Sequence, residues 1–213
     1  MYLMLNCKAM VFEKFCPILL DLPKCIRTSR LMLRPIESDD SDMIYNAVRE
    51  SLSELEPWLP WATSSFTRQQ AEENSRHLHA AYVLRSSMQY LVFKDNKFVG
   101  LIGLFNINWD IPSASIELWC CSSEIKNGYL TEALQALSIF AFDVLKLKRL
   151  QFVCDAENEP AIKLAERAEY RLELVAKGLL KKPNRDELRQ CHQYSRYNSS
   201  HPLHPLKIQY VYA

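Results

Sequence analysis

The stretch from Ser122 to Leu134, SSEIKNGYLTEAL, carries the residue types and spacing best suited to chemistry in this chain. It follows the apolar run from Ile116 to Cys120 and opens a long amphipathic segment. Only 4 glycines occur in 213 residues, and Gly128 sits at this joint. Glycine there lets the backbone turn tightly and lets a ligand approach main-chain N–H groups. The first N–H groups of a helix lack internal acceptors and sit at the positive end of its dipole. Such a joint can hold an anion, phosphate above all. An ordinary strand–loop–helix connection would show the same pattern.

Other chemistries are poorly supplied. The 7 cysteines form no CxxC pair and no Cys/His zinc spacing, so no metal is expected. Several lie in apolar runs, where a free thiol behaves as a small hydrophobe. An odd number of unpaired thiols suits a reducing, cytoplasmic compartment. A formal net charge of +1 argues against a broad basic face for direct nucleic-acid contact. The basic groups at Lys146, Lys148 and Arg149, and at Lys177, Lys181, Lys182 and Arg185, read as solvated surface. Lys8, Glu13 and Lys14 interrupt the apolar amino terminus, so no membrane span or signal peptide is expected. Neither a GxGxxG nor a GxxxxGK[ST] run occurs.

The joint must be held by a sheet and helices. With 48% hydrophobic residues, a sizeable core is affordable. Alternation predicts strands over 30–35, 88–93, 98–107 and 113–121, with a hairpin turn at 94–97. Residues 150–154, 170–176 and 188–197 read as further strands. Ser38 to Asp40 cap a helix running to Val48, and Thr67 caps one running to about Leu84. Leu130, Leu134, Leu137, Ala141 and Val144 share one face of a helix over 130–145, with Glu132 off that face. Pro160 opens a last helix to about Ala168. The tail from Ser199 reads as loose. The order is β, α, α, β, β, β, α, β, α, β, β.

This order, with Thr28–Pro35, Leu55–Trp61, Gly128–Ala133 and Glu157–Asn158, resembles the GNAT N-acetyltransferase superfamily, and within it the ribosomal-protein-serine N-acetyltransferase branch. The resemblance implies an α/β (α+β) fold: a mixed, mostly antiparallel sheet of about seven strands, splayed between the fourth and fifth. It implies an acetyltransferase domain over 25–198, an extension over 1–24 of unknown role, and a tail over 199–213. Acetyl-coenzyme A would be the donor substrate, with no metal. Main-chain groups of Trp119, Cys120 and Cys121 would hold its pantetheine arm. N–H groups of Lys126, Asn127, Gly128, Tyr129, Leu130 and Thr131 would cradle the diphosphate, and Asn158 would bond the arm or cap its helix.

Against the family's loop pattern, Gln/Arg-x-x-Gly-x-Gly/Ala, Ile125 stands at the polar position and Leu130 at the small one. Lys126 offers a compensating charge. Ala161 and Ala165 replace the serine and tyrosine with which relatives protonate the thiolate, and Leu180 loosely matches a carboxylate base. Glu117 and Cys154 are the remaining catalytic candidates, with a paired surface carboxylate and a structural thiol as their plain alternatives. Tyr129 and Tyr170 qualify as acids by type alone. Trp58 and Trp61 would wall the acceptor site unless they simply pack in the core. The implied function is acetyl transfer to a primary amine, of a protein amino terminus or a small molecule. A degenerate acyl-coenzyme A-binding or protein-interaction module is the alternative. Monomer and homodimer both remain open.

Overall fold

A computed structural model of the chain describes residues 15–181, 187–198 and 206–212, with only the backbone of Leu179 and Leu180. Among these residues one sheet of nine strands forms the centre. Its strands are β1 (Cys25–Arg27), β2 (Met32–Pro35), β3 (Met88–Lys94), β4 (Lys97–Asn108), β5 (Ser113–Cys120), β6 (Arg149–Asp155), β7 (Arg171–Lys181), β8 (Leu188–Tyr197) and β9 (Gln209–Val211). They lie in the order β7-β8-β6-β5-β4-β3-β2-β1-β9. Only β5 and β6 pair in parallel. A parallel pair needs a crossover, and here it is a helix, α4 (Tyr129–Asp143).

Alternation divides the sheet residues between two cores. Tyr90, Val92, Ile102, Leu104, Ile116 and Phe152 face α4 and α5 (Glu159–Arg167). Leu91, Phe93, Leu101 and Trp119 face α1 (Ser41–Glu50), the one-turn α2 (Leu52–Leu55) and α3 (Arg68–Val83). Both faces of β3 are therefore buried, which explains the consecutive apolar residues Leu91, Val92 and Phe93. Thr67 caps α3 in a full capping box with Gln70. The β3–β4 turn puts Asp95 at φ 48° and Asn96 at φ 65°, the left-handed pair of a type I′ hairpin.

The sheet has two more strands than the sequence predicts, both short and both from the ends of the chain. The tail is not loose throughout, because Gln209–Val211 pairs with β1 as β9. Tyr210 anchors it, 6.0 Å from the Phe140 ring of α4. Of the amino-terminal extension, 17–19 form a short 3-10 turn, and Leu20 and Leu22 pack against the main core. Residues 1–14 and 199–205 lie outside the described residues, as do Lys182, Arg185 and the Leu180 side chain.

Candidate active site

β5 and β6 pair only from Ser113 to Ile116 and from Arg149 to Phe152. Beyond that point Glu117–Cys120 stay with β4, and Val153–Asp155 stay with β8. A wedge opens between them, held apart from both sides. The Cys121 N–H donates to the Val99 carbonyl at 2.8 Å, and the Cys121 carbonyl accepts from the Glu124 N–H at 2.9 Å. Antiparallel hydrogen bonding alternates along a strand, so the main-chain groups of Leu118 and Cys120 turn toward the wedge. Of Trp119, Cys120 and Cys121, only Cys120 therefore presents its backbone there. Leu118, which the sequence did not suggest, joins it.

From Cys121 the chain runs through a short 3-10 turn, Ser122–Glu124, into the amino end of α4. Gly128 sits in the left-handed region at φ 75° and ψ 7°, preceded by Lys126 at φ 65°. No side chain caps the helix, so the N–H groups of Tyr129, Leu130 and Thr131 keep their outward direction. A Cβ on Gly128 would meet only the Arg30 Nη2, at 3.9 Å. Leu130 is buried in the core at 8% exposure, while Ile125 turns outward at 41%. Neither blocks the entrance.

Glu132, predicted to lie off the buried face, is only 7% exposed. Its carboxylate accepts from Arg30 Nε at 2.6 Å and Thr28 Oγ1 at 2.5 Å. Arg30 also donates to the Asn127 carbonyl at 3.3 Å and lies over the Tyr129 ring. The β1–β2 turn thus clamps the loop from one side. On the other, Asn127 Nδ2 donates to the Glu124 carbonyl, and Glu124 pairs with Lys97.

The catalytic candidates separate. Glu117 projects on the Trp119 face, toward the helices α1 and α3, whereas Cys154 belongs to the core beneath α4 and α5. Glu117 is open through the wedge yet surrounded by protein, and that desolvation raises its carboxyl above the ordinary range. A hydrogen bond from Gln89 Nε2 opposes the shift. Burial pushes the Cys154 thiol up to about 12, and Cys120 and Cys121 likewise to about 12. Tyr170 is buried with its hydroxyl 2.8 Å from Ser138 Oγ, and burial raises it well beyond an acid's useful range. Ala165 is in the core and Ala161 packs against it. Asn158 Oδ1 caps α5 through the Ala161 N–H at 3.1 Å, leaving its NH2 end as the donor available to a ligand.

The Pro57–Trp61 loop spans the wedge on the Glu117 face. Trp61 packs edge-on against Trp119 of β5 at 6.5 Å. At the other end Arg189 of β8 donates to the Pro57 and Trp58 carbonyls at 2.8 and 3.3 Å. Arg189 is 3% exposed, and its Nε lies 3.2 Å from Asp155 at the end of β6. Trp58 is half-buried and Trp61 is 44% exposed, so neither is wholly a core residue. The sequence missed Gln89, Arg30 and the Arg189–Asp155 pair. Its signal for the last was an arginine two residues before Cys191, on the same face of the strand over 188–197.

Among the described residues no cluster of three or more His, Cys, Asp or Glu could hold a metal ion. No helix among them is long and apolar enough to cross a membrane. The family described as Acetyltransferase (GNAT) domain matches residues 30–171. Spermidine N(1)-acetyltransferase of Escherichia coli is 25% identical over 167 residues, covering 76% of this chain and 87% of that protein. A Vibrio cholerae protein described as a ribosomal-protein-serine acetyltransferase is 28% identical, with a TM-score of 0.69 over 83% of this chain and 99% of that one. RimL, a ribosomal-protein acetyltransferase solved with coenzyme A, has a TM-score of 0.75 at 19% identity, over 80% of this chain and 95% of that one.

Proposed function

The chain belongs to the GNAT acetyltransferase family and is an acetyl-coenzyme A-dependent N-acetyltransferase; we propose that the β5–β6 wedge receives the donor and that Glu117 receives the proton of the amine. The carrying observation is that β5 parts from β6 after Ile116 and leads, through Cys121 and the Gly128 joint, straight into the uncapped amino end of α4. The diphosphate fits the free N–H groups of Tyr129, Leu130 and Thr131, with open space before Gly128. Lys126 and Asn127 border that space. The main chain of Leu118 and Cys120 offers the arm a strand edge, and the Asn158 NH2 a further donor. The bound donor supplies an activated acetyl group.

The chain's own work is placement and proton removal. An ammonium must lose its proton before it can attack. Desolvation brings the Glu117 carboxyl closer to the amine in basicity, which suits a general base. Trp58 and Trp61 wall the acceptor side. No acid stands at 161 or 165, so catalysis rests on positioning and on Glu117.

The acceptor in this reading is a peptide amino terminus. On the Glu117 face the half-buried Gln151, Val153 and Gln193 form a shelf, and among the described residues the core beneath α1 and α3 contains none from β6, β7 or β8. An extended chain behind the amine has room there. The likeness to a spermidine acetyltransferase supports a second reading, a polyamine acceptor. Thiol release from acetyl-coenzyme A, measured on amino-terminal peptides and on polyamines, separates the two. Glu117→Gln is expected to lower kcat/KM by about 10²–10⁴-fold while coenzyme A affinity holds. Wild-type turnover in that variant would remove Glu117 from the mechanism.

A further inference from the structure

Gln89, Gly103 and Glu117 stand side by side on β3, β4 and β5, in direct register. Adjacent strands lie about 4.8 Å apart, so the outer two backbones are roughly 10 Å from one another. A side chain on the middle strand would fill the lane between them. Gly103 has none, and the Gln89 side chain runs through the space. A Cβ placed on Gly103 would fall 1.8 Å from Gln89 Oε1 and 2.2 Å from its Cδ. Gln89 reaches across this lane and donates from Nε2 to Glu117 Oε1.

The amide is held in one orientation. Its NH2 also donates to Ser87 Oγ at 3.3 Å, and Ser87 donates in turn to the Leu104 carbonyl at 3.0 Å. Gln89 is fully buried, and its Oε1 has no partner among the described residues. A buried acceptor left without a donor costs stability, and an apolar side chain of the same shape would avoid that cost. The amide is therefore poorly explained by packing and well explained by what its NH2 end holds.

We propose that Gln89 is a positioning residue, which lies across Gly103 to aim the Glu117 carboxylate at the acceptor amine and to keep it ionised. The proposal rests on the reading of Glu117 as the base. Donation to the charged form favours it, against the desolvation of the wedge. No other donor to Glu117 is described. On β5 its same-face neighbours are Ser115 and Trp119, with Trp61 of the loop against the latter. Across the wedge β6 turns Val153 and Asp155 to this face, and Arg189 of β8 holds Asp155. From α3, His79 Nδ1 is engaged with the Ile36 carbonyl at 3.1 Å.

The test is the pH dependence of kcat/KM in Gln89→Met and Gly103→Ala, with coenzyme A affinity measured on each as proof of a folded wedge. Gln89→Met keeps the volume and removes the donor. Gly103→Ala leaves Gln89 in the chain and displaces it from the lane. Both are expected to move the acidic limb upward by about one to two pH units, since a bond to a charged group is lost. Gln89→Asn, one methylene shorter, is expected to shift it no less, because the reach across Gly103 fails. A limb that stays at its wild-type position in either folded variant overturns the proposal. Wild-type turnover in Glu117→Gln would instead overturn the reading of the base itself. An inactive Glu117→Gln beside unmoved limbs would sink only the role of Gln89.

Discussion

Glu117 and Cys154 come from neighbouring strands at the mouth of one wedge, and strand alternation sends their side chains to opposite faces of the sheet. That single geometric fact divides their chemistry. Glu117 meets the open shelf and the Trp58–Trp61 loop. Cys154 is 6% exposed, and burial holds its thiol up at about 12, so little thiolate exists at neutral pH. A thiol so reluctant to ionise is also a weak acid toward a leaving thiolate. Cys154→Ala is accordingly expected to keep kcat within about fivefold of the wild type and to leave the pH profile of kcat/KM unmoved, at a packing cost of about 1 kcal/mol. A loss on the scale of a general acid, about 100-fold or more, would return Cys154 to the mechanism. The sequence offered both residues as catalytic candidates but could not tell their faces apart, because the register that fixes the faces is set by β4 and β8.

Among the elements, those with local signals were legible and those made by distant pairing were not. Thr67 and Gln70 announce α3, and Asp95-Asn96 announce the β3–β4 turn, because caps and turns are contacts within four residues. β1 and β9 are only three residues each, and β9 is a strand through its pairing with β1, across most of the chain. The buried face of α4 was misjudged at Glu132 for the same reason, since its partners Arg30 and Thr28 lie about a hundred residues earlier. The β7–β8 hairpin shows such a pairing with a measurable consequence. Glu173 of β7 accepts from Ser195 at 2.6 Å, from Tyr197, and from Arg149 of β6 at 2.6 Å. Those bonds, Ser195 first, hold its carboxyl down from the usual 4.5 to about 2. A carboxyl depressed on folding binds protons more readily in the unfolded chain. Its stabilising share is complete above the unfolded value of 4.5 and is lost as the pH falls from there toward about 2. Glu173→Gln is therefore expected to flatten the decline of Tm in that window, with little change in shape near neutrality. An identical acid slope in the variant would show that the hairpin gains nothing from the charge.

At the scale of the whole molecule, two cores on opposite faces of one sheet leave a wedge that neither core fills. β5 leans on β4 and the α3 side, β6 leans on β8 and α5, and the shared hydrogen bonds stop at Ile116 and Phe152. Arg189 and the Pro57–Trp61 loop bridge the opening without closing it. A molecule built this way leaves the β5 and β6 edges without each other beyond Ile116 and Phe152, and α4 without a side-chain cap, where a ligand would complete them, so binding and stability are linked. The unfolded chain has no wedge and no α4 entrance. A ligand that binds only the folded form at a hundred times its Kd stabilises by about 2.7 kcal/mol, which for a domain of this size raises Tm by roughly 5–10 °C. Coenzyme A alone, without an acceptor and without turnover, is expected to produce that rise. Gly128→Val keeps the cores but forces a branched residue into the left-handed region at φ 75° and into the space before the helix. In that variant the same concentration of coenzyme A is expected to give a much smaller rise. A wild-type Tm indifferent to saturating coenzyme A would mean that the wedge and the α4 entrance do not act together as one binding site.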